Sequence, residues 1–119
     1  MNHFQTDTPI YLQVVEVVKG KILSGQLQYG EKLESVREMA SRLGVNPNTI
    51  QRAFLELERQ GFILTQRAVG RFVSEDKDFI EACRQKKIRE TIQQFVEEME
   101  NYGVTQKDII EYLQSQEEK

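Results

Sequence analysis

A mainly α fold with one short β-hairpin (class α+β) is predicted by three observations. Two short amphipathic segments, 36–43 and 47–60, are separated only by Gly44-Val45-Asn46, the proportions of a helix-turn-helix. Two strand-like runs, 62–66 and 71–73, flank the turn Arg67-Ala68-Val69-Gly70, with basic residues around its tip. From residue 74 onward only helical periodicity remains. Three helices followed by a hairpin make a winged helix-turn-helix, and the tail adds two helices. The expected division is a head over 1–73 and a helical dimerisation domain over 74–119.

The first helix is expected to open at Thr8-Pro9, with Thr8 as cap and Pro9 preformed at the first helical position. Ile10, Val14, Val18 and Ile22 then recur every four residues, with Val15 and Val17 widening the stripe, and Ser24-Gly25 ends it. Ser35-Val36-Arg37-Glu38 reads as a capping box. Val36, Met39, Ala40 and Leu43 make one apolar face, and Gly44 stops that helix after two turns. Asn46-Pro47 starts the next by the cap-plus-proline device; Ile50, Ala53, Phe54 and Leu57 form its buried side. A long helix over about 76–102 follows the acidic segment 74–78. It carries two apolar stripes: Phe79 with Cys83, and Ile88, Ile92, Phe95, Met99 and Tyr102 at the a/d spacing of a helix that packs on another helix. Gly103 ends it. Thr105 and Asp108 form a variant capping box for a last helix, with Val104 stapled to Ile109.

Composition narrows the function. The chain has 119 residues, enough for one domain with a modest tail, and 39% apolar against 29% charged residues. One cysteine, Cys83, excludes an intramolecular disulfide and a multi-thiolate zinc site. One histidine, His3, near a terminus expected to fray, disfavours histidine catalysis and metal binding. No catalytic constellation, phosphate loop or cofactor motif is present. The first residues lack the basic and apolar regions of a signal peptide, and no run suits a membrane span, so a cytoplasmic location is expected.

Net charge is −3, yet its distribution is uneven. Residues 1–73 hold nine basic against seven acidic side chains, a balance of +2, whereas 74–119 hold seven against twelve, a balance of −5. A local basic surface, not the total, decides whether phosphate is attracted.

Candidate DNA contacts stand opposite the buried side of the third helix. Asn48, Arg52, Leu55 and Arg59 line that side, and base contacts concentrate in the first turn of such a helix, which selects Asn46, Asn48, Thr49, Gln51 and Arg52. Asn pairs with adenine and Arg with guanine in the major groove. A plain solvated face explains the same residues differently, with Asn46 only a cap and Arg52 a partner of Glu56. Arg37 lies in a helical first turn, where the macrodipole disfavours a cation, which suits a phosphate or base contact; pairing with Glu34 or Glu38 is the alternative. Arg67 and Arg71 could reach the minor groove or backbone from the hairpin, or merely solubilise it. Cys83, on an apolar stripe, reads as a small buried hydrophobe ahead of a redox sensor. The acids of 97–100 and the bases of 84–89 read as solvated helix surface.

Pro9-Ile10-Tyr11-Leu12-Gln13, Leu23-Ser24-Gly25, Ser35-Val36-Arg37-Glu38-Met39-Ala40, Leu43-Gly44-Val45-Asn46-Pro47-Asn48-Thr49 and Ala53-Phe54-Leu55-Glu56-Leu57-Glu58 together resemble the GntR family of bacterial transcription regulators. The likeness spans 9–73 with its spacing intact, and the short tail resembles the YtrA-like subfamily, whose two C-terminal helices dimerise. The resemblance implies DNA contacts at Arg37, Asn46, Asn48, Thr49 and Arg52 and from the wing, and Ser35 is a further candidate contact. It further implies repression through an inverted-repeat operator bound by a homodimer, often at a transporter operon. Family members often carry proline where Tyr29 and Glu34 stand, and a glycine-rich wing tip where this chain has Ala68-Val69-Gly70-Arg71. Exposure of the 88–102 seam calls for a second copy on physical grounds as well. A small-molecule effector held between head and tail would release such a dimer, although no pocket can be read from the sequence. A winged-helix module that binds another protein is the alternative function.

Overall fold

The computed structural model describes residue 4 and residues 7–117; His3 lies outside the described residues. Its elements are α1 (Ile10–Leu23), α2 (Val36–Leu43), α3 (Pro47–Arg59), β1 (Ile63–Gln66), β2 (Gly70–Val73), α4 (Lys77–Glu100) and α5 (Gln106–Glu117). This is the mainly α fold expected, a winged helix-turn-helix with a helical tail. The chain divides into two compact units, residues 1–83 and 84–119, with the division inside α4.

In the first unit one core joins the three helices to the hairpin. Val14, Val15, Val18 and Ile22 of α1, Met39 and Ala40 of α2, and Ile50, Ala53, Phe54 and Leu57 of α3 are buried together with Leu33, Phe62, Ile63, Val73 and Ile80. Phe79 and Cys83 pack against the same cluster, and the Phe62 and Phe79 rings meet at 5.4 Å. Burial on α1 is narrower than the sequence stripe: Ile10 and Val17 remain 42% and 38% exposed. At about 100° per residue, the arc holding Val14, Val18, Ile22 and Val15 leaves those two roughly 40–60° outside it.

The opening of α1 differs from expectation. Pro9 is the flanking residue, no side chain caps the helix, and the Pro9 carbonyl accepts from the Leu12 and Gln13 amides. Gln13 Nε2 donates to the Thr8 carbonyl at 2.7 Å, so Thr8 contributes its backbone and not its hydroxyl. The α2 capping box forms as read. The Glu38 amide donates to Ser35 Oγ (3.1 Å) and the Ser35 amide to Glu38 Oε1 (3.0 Å). Gly44 ends α2 at φ +70, a left-handed conformation that glycine adopts without a Cβ clash. Asn46 then caps α3, its Oδ1 accepting from the Asn48 amide at 2.8 Å, with Pro47 in the first turn.

The strands pair antiparallel in the register Ile63↔Val73, Leu64↔Phe72, Thr65↔Arg71, Gln66↔Gly70. A further bridge was not legible in the sequence, which reads residues 26–34 as loop. Lys32 pairs antiparallel with Phe72, the Leu33 amide donating to the Arg71 carbonyl and the Val73 amide to the Glu31 carbonyl, both at 2.8 Å. The two-stranded wing thus gains a single bridged residue on its β2 side, drawn from the loop before α2. At the tip the Val69 amide donates to the Gln66 carbonyl and Ala68 takes φ +65, the signature of a type II turn that usually holds glycine there.

In the second unit, α4 ends ahead of Gly103 (φ +74), and α5 begins with the variant box. The Thr105 amide donates to Asp108 Oδ2 (2.9 Å) and the Asp108 amide to Thr105 Oγ1 (3.2 Å). Val104 and Ile109 are both half-buried, as a staple requires.

Candidate nucleic-acid interface

The interface residues stand at the N-terminal ends of α2 and α3 and on the wing. Arg37, in the first turn of α2, is exposed and has no hydrogen bond or ion pair among the described residues. Both acids that could have held it are committed elsewhere. Glu34 accepts from Arg42 Nε at 2.9 Å and forms an ion pair with the same guanidinium. Glu38 accepts from the Ser35 amide, and that hydrogen bond, with the Ser35 hydroxyl, holds its carboxyl below the usual range.

On α3 the buried side is as read: Ile50, Ala53, Phe54 and Leu57 are fully enclosed. Asn48, Gln51 and Arg52 are exposed and Thr49 is half-buried. Leu55, on the outer face, is 58% exposed. Asn46 spends its carbonyl oxygen on the cap, leaving its amide hydrogens. The alternative partner for Arg52 is occupied: Glu56 accepts from Arg59 Nε (2.8 Å) and Gln60 Nε2 (2.6 Å). Those bonds, Arg59 first, bring the Glu56 carboxyl down to about 2. Arg52 instead lies over the ring of Tyr11 on α1, its guanidinium carbon 4.0 Å from the ring centroid. Such a contact leaves the in-plane N–H donors of a guanidinium available.

The two wing arginines differ. Arg67 is exposed in the turn. Arg71 is half-buried, lies over the Phe54 ring at 5.1 Å, and has its Nε enclosed without a hydrogen-bond partner. Its side chain shares the inner face of the hairpin with Thr65, which donates from Oγ1 to Glu58 Oε1 of α3. Tyr11 and Lys32 make their contacts with residues distant in the chain, and no local pattern marks those contacts.

Within the first unit an open cavity of about 530 Å³ is lined by apolar side chains such as Leu33 and Met39 and by charged ones, Lys32, Glu34 and Glu38 among them. No group of three metal-ligating side chains occurs among the described residues. No helix among them is long and apolar enough to cross a membrane.

A winged helix-turn-helix that presents uncommitted polar side chains on its second and third helices is the architecture of a DNA-binding regulator of transcription. Residues 10–73 match the family model described as bacterial regulatory proteins, gntR family, and the chain belongs to that family. It is 39% identical over 114 residues to the HTH-type transcriptional regulator YhcF of Bacillus subtilis, covering 96% of this chain and 94% of that protein. It is 36% identical over 110 residues to the HTH-type transcriptional repressor YtrA of Bacillus subtilis, covering 92% and 85%. A solved GntR family transcriptional regulator from Listeria monocytogenes superposes with a TM-score of 0.85 at 38% identity, over 94% of this chain and 98% of that one. The family is one of regulators, not of enzymes.

Proposed function

We propose that the protein is a homodimeric repressor of the YtrA-like subfamily that binds an inverted-repeat operator, with a DNA-binding head over 1–73 and a dimerising tail over 74–119. The observation that carries the reading is the uncommitted edge formed by Arg37, Asn48, Gln51 and the donors of Arg52, beside acids that are all engaged internally. Ser35, Asn46 and Thr49 complete that edge, and Arg67 extends it to the wing. The short tail and the similarity to a repressor over most of both chains support the subfamily and the repressing role.

Dimerisation is supported by the seam of the tail. Ile88, Ile92, Phe95 and Tyr102 are exposed, Ile92 at 57% and Tyr102 at 73%, and Met99 is half-buried. On α5, Ile110, Tyr112 and Leu113 are exposed as well. That much unpartnered apolar surface in so small a unit is suited to an isologous two-fold contact, which in turn requires a quasi-palindromic site. Control of a transporter operon and release by a small-molecule effector belong to the same reading.

The deciding experiment is binding of the purified protein to DNA upstream of its own gene, against a scrambled competitor, at two salt concentrations. A competitor-resistant, salt-sensitive complex with two protomers per site is expected. Arg52→Ala should lose about 1–3 kcal/mol of operator affinity through one base contact, and Arg37→Ala should lower the salt slope by about 1 if it meets a phosphate. Equal weak binding to both duplexes, with a stable protein partner recovered instead, would replace this reading with a winged-helix interaction module.

A further inference from the structure

We propose that Lys32 is a phosphate contact of the wing, a cation delivered to the hairpin from the loop before α2. The inference rests on the DNA-binding reading above and adds a residue to it. Pairing with Phe72 places Lys32 on one face of the sheet. Side chains alternate across a strand, so Gly70, two residues from Phe72, lies on that same face and diagonally next to Lys32. Gly70 is also the first paired residue after the turn. A Cβ there would stand 2.8 Å from Lys32 Cε and 3.7 Å from its Nζ. The lysine stem is therefore laid over the bare glycine backbone, and its ammonium is carried toward the wing tip.

The Lys32 charge acts on Glu38 only at long range, as the smallest of the influences on that carboxyl. Lys32 is exposed and has no hydrogen bond or ion pair among the described residues. The neighbouring acids are bound by backbone amides: Glu31 accepts from Gln28 N–H at 2.9 Å, and Glu38 from Ser35 N–H. Arg71, with Arg67 the wing cation read from the sequence, faces the other way and lies half-buried over Phe54. Lys32 and Arg67 are left as the exposed cations of the wing. A flexible ammonium is a point charge suited to a phosphodiester and carries no base-reading fork, so its contribution is affinity without sequence preference. The left-handed φ of +146 and the missing Cβ give Gly70 a second purpose, as the seat of that stem.

The test uses Lys32→Met, which keeps an apolar stem over Gly70 and removes the charge. Operator and scrambled duplexes are titrated across a series of salt concentrations, with thermal unfolding as a control. The expected result is a salt slope lower by about 0.9, one phosphate contact, with affinity reduced alike on both duplexes and an unchanged melting point. Gly70→Ala should lower the slope similarly by displacing the stem; if that variant fails to fold, Lys32→Met decides alone. An unchanged slope in Lys32→Met, alongside a lowered slope in Arg37→Ala, overturns the proposal and leaves DNA binding standing. A wild-type protein with no salt-dependent binding overturns both.

Discussion

Tyr11 and Glu56 together decide where the Arg52 guanidinium stands. Glu56 would be its natural partner four residues on, but Arg59 and Gln60 saturate that carboxylate, and the aromatic face of Tyr11 takes the guanidinium instead. Tyr11→Leu should weaken operator binding by about 0.5–1 kcal/mol, the worth of an exposed cation–π contact, whereas Tyr11→Phe should bind as wild type. Fluorescence anisotropy on the operator duplex reads both; a loss of the same size on combining Tyr11→Leu with Arg52→Ala would show that the ring acts independently of the arginine. Glu56 also sets a pH dependence. Its carboxyl is lowered from 4.5 to about 2, so the stability it contributes is fully present above about pH 4.5 and is lost as pH falls toward 2. Thermal midpoints should therefore decline across that window, and Glu56→Gln should flatten the decline.

At the scale of elements, the short helices depend on their ends. With only eight residues, α2 has few internal hydrogen bonds, and the Ser35–Glu38 box satisfies amides that have no partner within the helix. Ser35→Ala should cost about 1 kcal/mol in urea unfolding, and Ser35→Asp should restore most of it. Boxes and the Asn46-Pro47 start were legible because a cap and its partner lie three residues apart in the chain. The opening of α1 was not, because Thr8 and Pro9 compete for one position and the Gln13 side chain, bonded to the Thr8 carbonyl, settles the contest. The bridge of Lys32 to Phe72 was equally hidden: a single paired residue leaves no alternating pattern to read.

For the whole molecule, the balance between a mildly basic head and an acidic, apolar-seamed tail sets what it can assemble with. A dimer joined through the tail predicts that Phe95→Asp sediments near the 13.9 kDa of one chain, where the parent sediments near twice that. Operator affinity should fall with it, because the two half-sites would no longer be bound by linked heads; a dimeric Phe95→Asp would move the interface elsewhere.

Helix positions, the caps of α2, α3 and α5, the turn between α2 and α3, and the polar face of α3 were determined by the sequence, since each rests on spacings of two to four residues. So was the family, through the spacing of its motifs. Tertiary structure alone decided which of the polar residues are free. Arg37 and Arg52 escape their neighbouring acids, Arg71 turns inward over Phe54, and Lys32 is paired beside Phe72 of the hairpin. The contacts that settle Arg52 and Lys32 join residues about 40 apart in the chain, and side chains brought together by folding over such a distance share no local pattern that marks them in advance.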